Sequence, residues 1–194
     1  MHTRTRARFA AACAVAALSL TACGGGAAVT NKPKAQASAP ADEASEAAED
    51  TSAVPEVAKV GDTITLTGSE DGSKLDVTVV KVADGAKSSV EGFVPEDGNR
   101  WLGVQFRLVN TGSAAYSDSP ANGTQVYDED GQQFGPTFAD ITAGPSMSSD
   151  VNLKPGAKAL GWITFEVPKG AKVATVQFAM DSGFADQVGE WKLG

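Results

Sequence analysis

Three observations predict an all-β fold, an antiparallel β-sandwich, for residues 58–194. Apolar residues recur with a period of two in short runs, as strands do when one face is buried and the other is wet. Asp-Gly steps at 71–72, 84–85, 97–98 and 130–131 punctuate the runs with residues that tolerate a positive φ. No window of a dozen residues carries a 3.6-residue apolar stripe, so little helix is expected. About 137 residues suit one domain around one core.

The elements follow in order. Ile64 and Leu66 alternate with threonines in GDTITLTG, and Leu75, Val77 and Val79 alternate in KLDVTVVKV. RWLGVQFRLVN is the clearest strand, with Leu102, Val104, Phe106 and Leu108 on one face. TQVY and QQFG form a hairpin whose turn is Asp130-Gly131. Ile163, Phe165 and Val167 share a face of LGWITFEVP, as Val176, Phe178 and Met180 do in VATVQFAM. Strand order is not set by these patterns.

The first 57 residues read differently. Arg4, Arg6 and Arg8 precede an apolar stretch, Phe9 to Ala22, of 14 residues. That length suits a secretory signal and falls short of the roughly 20 residues of a spanning helix. Leu20-Thr21-Ala22-Cys23 followed by Gly24-Gly25-Gly26 resembles a bacterial lipobox. The resemblance implies cleavage after Ala22, a diacylglyceryl group on the Cys23 thiol, and attachment to the outer face of the cell membrane. Two acyl chains anchor stably where one does not. The alternative is a soluble secreted protein with a chance cysteine. Residues 23–57 are rich in Ala, Ser, Pro, Glu and Asp and contain no aromatic residue. They cannot bury enough apolar area to offset ordering entropy and read as a disordered acidic tether. About 34 such residues reach roughly 30 Å as a coil and on the order of 110 Å when stretched.

Removal of the leader changes the chemistry available. Of 16 basic and 24 acidic residues, 13 and 24 remain, a net charge of −11. Phosphate polymers are repelled by such a surface, so nucleic acid is not an expected partner. His2 and Cys13 are the chain's only histidine and its only other cysteine, and both lie in the leader. With Cys23 alkylated, no disulfide, Cys-His or Ser-His-Asp arrangement and no His-containing zinc site is available. No catalytic residue, metal or cofactor is therefore expected. Eighteen acidic residues in the domain leave a carboxylate hydrolase as a remote alternative.

GDTITLTG, NRWLGVQFRLVNTG, VYDEDGQQFGP and LKPGAKALGWITFEVPKGA, in that order, resemble a widespread domain of unknown function found in bacterial lipoproteins. That family belongs to the immunoprotective extracellular, immunoglobulin-like superfamily, which also contains a secreted mycobacterial antigen. The most specific parts are Asn110-Thr111-Gly112 and Lys154-Pro155-Gly156 before Trp162-Ile163-Thr164-Phe165. The resemblance implies an immunoglobulin-like β-sandwich exported to the envelope, with no catalytic residues to carry over.

Other constellations are weaker. In Asp128-Glu129-Asp130-Gly131 the EF-hand register fails: with Gly131 sixth, the first and twelfth positions are Val126 and Thr137. A looser calcium site with Asp118 or Asp140 remains open. Asn122-Gly123-Thr124 fits a glycosylation acceptor that carries no meaning in a bacterium, and no phosphate-binding glycine pattern occurs. Trp101 points opposite to Leu102, and Trp162 opposite to Ile163, so both face outward and are the candidate binding residues. Cover by a neighbouring loop or edge strand is their commoner fate. Trp191 is watched with them, and Phe93, Val94 and Phe184 are expected to fold back onto the domain. The chain thus reads as a monomeric, membrane-anchored lipoprotein with a non-catalytic binding or envelope-organising sandwich, its partner an envelope protein or glycan. A ligand-capturing accessory of a transporter or sensor is the main rival, and a large apolar cavity between the sheets would favour it.

Overall fold

A computed structural model describes residues 57–194. The leader, Cys23 and all but the last residue of the tether lie outside them. The strands are β1 (Ala58–Lys59), β2 (Thr63–Thr67), β3 (Lys74–Ala86), β4 (Asn99–Asn110), β5 (Tyr116–Asp118), β6 (Thr124–Asp128), β7 (Gln133–Phe134), β8 (Pro136–Thr137), β9 (Val151–Leu153), β10 (Lys158–Pro168), β11 (Val173–Ala179) and β12 (Val188–Lys192). Sheet I has the order β1-β12-β11-β6-β7, sheet II the order β2-β3-β4-β10-β8, and β5 pairs with β9. Every pairing between these strands is antiparallel except that of β1 with β12. The chain changes sheet at both margins, from β1 to β2 and from β7 to β8 across the single residue Gly135. Strands that switch sheets turn the corners of a sandwich and shorten its exposed edges.

The alternation predicts the inner faces correctly. Ile64, Leu66, Val77, Val79, Val104, Phe106, Leu108, Phe165, Val176 and Phe178 are all buried in one cluster between the sheets. Phe106 lies 5.8 Å from Phe178 and 6.5 Å from Trp191, ring centre to ring centre, so aromatic side chains fill the middle. Each such residue contributes about 1.5–3 kcal/mol on burial. Trp191 belongs wholly to this core, and its indole N–H donates to the Asp62 carbonyl at 3.0 Å.

All four Asp-Gly glycines adopt positive φ, between +67° and +89°. The Asp130-Gly131 hairpin forms as expected, pairing Val126 with Phe134 and Tyr127 with Gln133. Asp84-Gly85 departs from expectation: it lies inside β3, where the register against β4 shifts between Asp84 and Ala86. Glycine there makes a bulge and the strand continues.

The two most specific family motifs meet in space. Asn110 is buried and donates from Nδ2 to the carbonyls of Ala114 and Leu153, while its Oδ1 accepts from Gly112 N–H. The Asn110 carbonyl accepts from Gly156 at 2.8 Å and its N–H donates to Ala157 at 3.0 Å. Asn-Thr-Gly and Lys-Pro-Gly are thus two halves of one turn-to-turn lock. Their role is architectural.

Candidate functional site

An open groove of about 860 Å³ lies where β6 of sheet I and β8 and β10 of sheet II approach. Residues of sheet I and its flanking turns, Asn122, Gln125 and Phe184 among them, line it together with Thr137, Phe138 and Asp140 after β8 and Trp162–Thr164 of β10. Phe138 is 97% exposed and Phe184 86%, the two barest aromatic side chains among the described residues.

Phe184 is held out by a strained turn. Asp181 and Ser182 have φ of +56° and +55°, which side-chain-bearing residues adopt at a cost. Carboxylates hold them there. Asp118 accepts from Ser182 N–H at 2.8 Å and from its hydroxyl at 2.6 Å, and Asp181 accepts from Ser69 N–H at 2.6 Å. The turn packs on the 3₁₀ turn Pro120–Gly123, where a Cβ on Gly123 would lie 2.1 Å from the Ala179 carbonyl. Glycine alone permits that approach. Beneath lies Tyr116, buried, with its hydroxyl beside Asp118 but without a hydrogen-bond partner among the described residues. Burial, then the charges of Asp118 and Asp181, raise the phenol above its ordinary 10.0, so it stays neutral in the folded protein.

Phe138 stands on an equally pinned segment. Thr164 donates its hydroxyl to the Ala139 carbonyl at 2.9 Å, and Ser146 donates to Asp140 Oδ1 at 2.6 Å. Trp162 N–H donates to Pro145 and its carbonyl accepts from Met147, at 3.0 and 2.7 Å. The loop between β8 and β9 therefore lies along β10 and forms one side of the groove.

Trp101 and Trp162 are not surface anchors. Both point away from the inter-sheet core as expected, but they are 1% and 5% exposed and form a second cluster with Ala139 and Ile141. Phe93 packs on Trp101 at 5.2 Å. The reason is area: a bare indole costs enough that the segments 87–98 and 138–147 fold over the outer face of sheet II. Trp101 donates to Glu166 Oε2 at 3.2 Å, whereas the Trp162 indole N–H has no partner among the described residues. Phe93 folds back as expected; Val94, 71% exposed, and Phe184 do not. Nothing in the sequence pattern marks Phe138, because it sits in a segment without alternation. Its only signal was an aromatic residue in a loop.

The acidic residues considered for calcium are drawn into separate hydrogen-bond sets. Asp128 Oδ1 accepts from Asp130 and Gln132 within the hairpin, Asp118 serves the strained turn, and Asp140 holds Ser146. Among the described residues no three His, Cys, Asp or Glu side chains gather where a metal ion could sit.

Two five-stranded sheets with switched margins and a groove at one of them define an immunoglobulin-like β-sandwich with a solvent-open cleft. The chain belongs to the family of the domain of unknown function DUF4352, whose model matches residues 67–188. Solved structures similar to it include the yjhA protein of Bacillus subtilis, at 21% identity over 71% of this chain and 100% of that one, with a TM-score of 0.53. The secreted protein MPT63 of Mycobacterium tuberculosis is similar at 23% identity over 73% of this chain and 99% of its own, with a TM-score of 0.48. The ycdA protein of Bacillus subtilis matches 66% of this chain at 16% identity and a TM-score of 0.49, and the chain spans only 38% of its length. No curated protein matches the sequence.

Proposed function

We propose that the protein is an extracytoplasmic lipoprotein, held on the outer face of the membrane through Cys23 and an acidic tether, whose sandwich is a non-catalytic binding module. The observation that carries the binding role is the groove with Phe138 and Phe184 exposed beside it. Exposed aromatic side chains next to a cleft are the usual anchors of an interface, and water-exposed rings are otherwise unfavourable. The anchor rests on the leader and on Leu20-Thr21-Ala22-Cys23.

The rivals find less support. Phe106, Phe178 and Trp191 fill the space between the sheets, where a captured solute would need a cavity. One carboxylate, Asp140, lines the groove, and a glycosidase-type reaction requires two facing each other.

Photo-crosslinking in cells tests the reading. A benzoylphenylalanine in place of Phe138 or Phe184 is expected to give a discrete adduct, and one placed on the opposite margin, at Lys59, is expected to give none. Equal labelling from both margins would refute the groove as the binding face.

A further inference from the structure

We propose that the groove takes a neutral glycan, a sugar chain without phosphate or carboxylate groups. The proposal rests on reading the groove as the binding face. Charge is the first argument. Among the described residues no lysine or arginine lines the groove, and its one acid, Asp140, already accepts a hydrogen bond from Ser146. An anionic polymer finds no cation there, and the domain around it carries 18 acids against 11 basic residues. A cationic ligand finds a single carboxylate.

The second argument is the polar inventory. Asn122, Ser119, Thr137 and Ser149 line the groove, and among the described residues their side-chain amide and hydroxyls have no hydrogen-bond partner. Gln125 keeps its amide NH₂ after its Oε1 accepts from Tyr127. Hydroxyls and amides both donate and accept, as sugar hydroxyls do, so a polyol can pair with them in either sense. Phe138 and Phe184 add flat apolar faces, one from each side, against which the C–H face of a pyranose can lie.

The third argument separates a glycan from a peptide. An added peptide strand needs an open row of backbone groups on an edge. β10 offers none along the groove: Trp162 is bonded to Pro145 and Met147, while Thr164 and Phe165 pair with Thr137 and Pro136. Along β10 recognition must run through side chains.

The test is affinity electrophoresis of the full-length protein in non-ionic detergent, through native gels containing dextran, mannan, galactan or dextran sulfate. Retardation is expected in at least one neutral gel and not in dextran sulfate. Phe138→Ala with Phe184→Ala should weaken it about tenfold, the scale of losing aromatic contacts at an interface. Both rings are exposed, so the variant folds. Free migration through all three neutral gels overturns the proposal, as does retardation that the double variant retains or that only dextran sulfate produces. If the crosslinker at Phe138 then captures a protein, the binding groove stands and the glycan falls. If it captures nothing, both fall.

Discussion

Tyr116 brings a phenol into the wall of the sandwich next to two carboxylates and leaves its hydroxyl without a hydrogen bond. A buried unpaired hydroxyl costs about 1–3 kcal/mol, whereas a shape-matched apolar replacement is close to neutral. The shift is upward, so the tyrosine's contribution is intact below the unfolded phenol's value near 10 and is lost as pH rises past it. Above that pH the unfolded chain releases a proton that the folded one keeps. Tyr116→Phe should therefore raise stability by about 1–3 kcal/mol at neutral pH and flatten its alkaline decline. Urea melts between pH 7 and 11 measure this, and parallel curves for the two proteins would contradict it. The strained pair Asp181 and Ser182 belongs to the same scale: three hydrogen bonds to Asp118 and Asp181 hold a backbone that sequence pattern does not announce.

Among the elements, the segment between β3 and β4 shows how an irregular stretch is fastened. Glu166 of β10 accepts from the Glu96 amide at 2.7 Å, Asn99 Nδ2 at 3.0 Å and the Trp101 indole at 3.2 Å. Desolvation works to raise its pKa, but the bonds from Asn99, Glu96 and Trp101 outweigh that and hold the carboxyl below its ordinary 4.5. A depressed value means the fastening is present above the unfolded carboxyl's pKa and lost as pH falls through the folded one. Amide exchange over residues 87–98 should thus lose protection, beyond its intrinsic pH dependence, as the protein is acidified below about 4.5. Glu166→Gln should be looser at pH 7 and show no such step. Protection that does not respond to acid in the unmodified protein would be inconsistent with this role. The clamp keeps Phe93 over Trp101 and so accounts for the buried outer face of sheet II.

For the whole molecule the open matter is how the sandwich is held. A chain of net charge −11 after its leader has no electrostatic reason to stay on an anionic membrane. In the function proposed above, retention comes from acyl chains at Cys23. Cys23→Ala should release the protein into the medium, and fractionation followed by immunoblotting shows it; a variant that stays with the membrane would contradict the lipid anchor. The groove lies at the β7–β8 margin, across the sandwich from β1, where the described residues begin.

By itself the sequence determined seven of the twelve strands and which of their faces enter the core, because burial on one side of a strand imposes a period of two on neighbouring residues; β1, β5, β8, β9 and β12 carry no such run. It also determined the Asp-Gly turns, with Gly85 as a bulge the exception, since a positive φ is a local demand. Tertiary structure alone decided the strand order, the changes of sheet at both margins, and the meeting of Asn110 with Gly156. It also decided which outward aromatics stay wet. Neither Trp101, off the core face of a strand, nor Phe138, in a loop, shows in the sequence whether it will be covered. One is roofed and the other bare because cover is supplied by segments tens of residues away, and no local pattern records which ring a distant loop will reach.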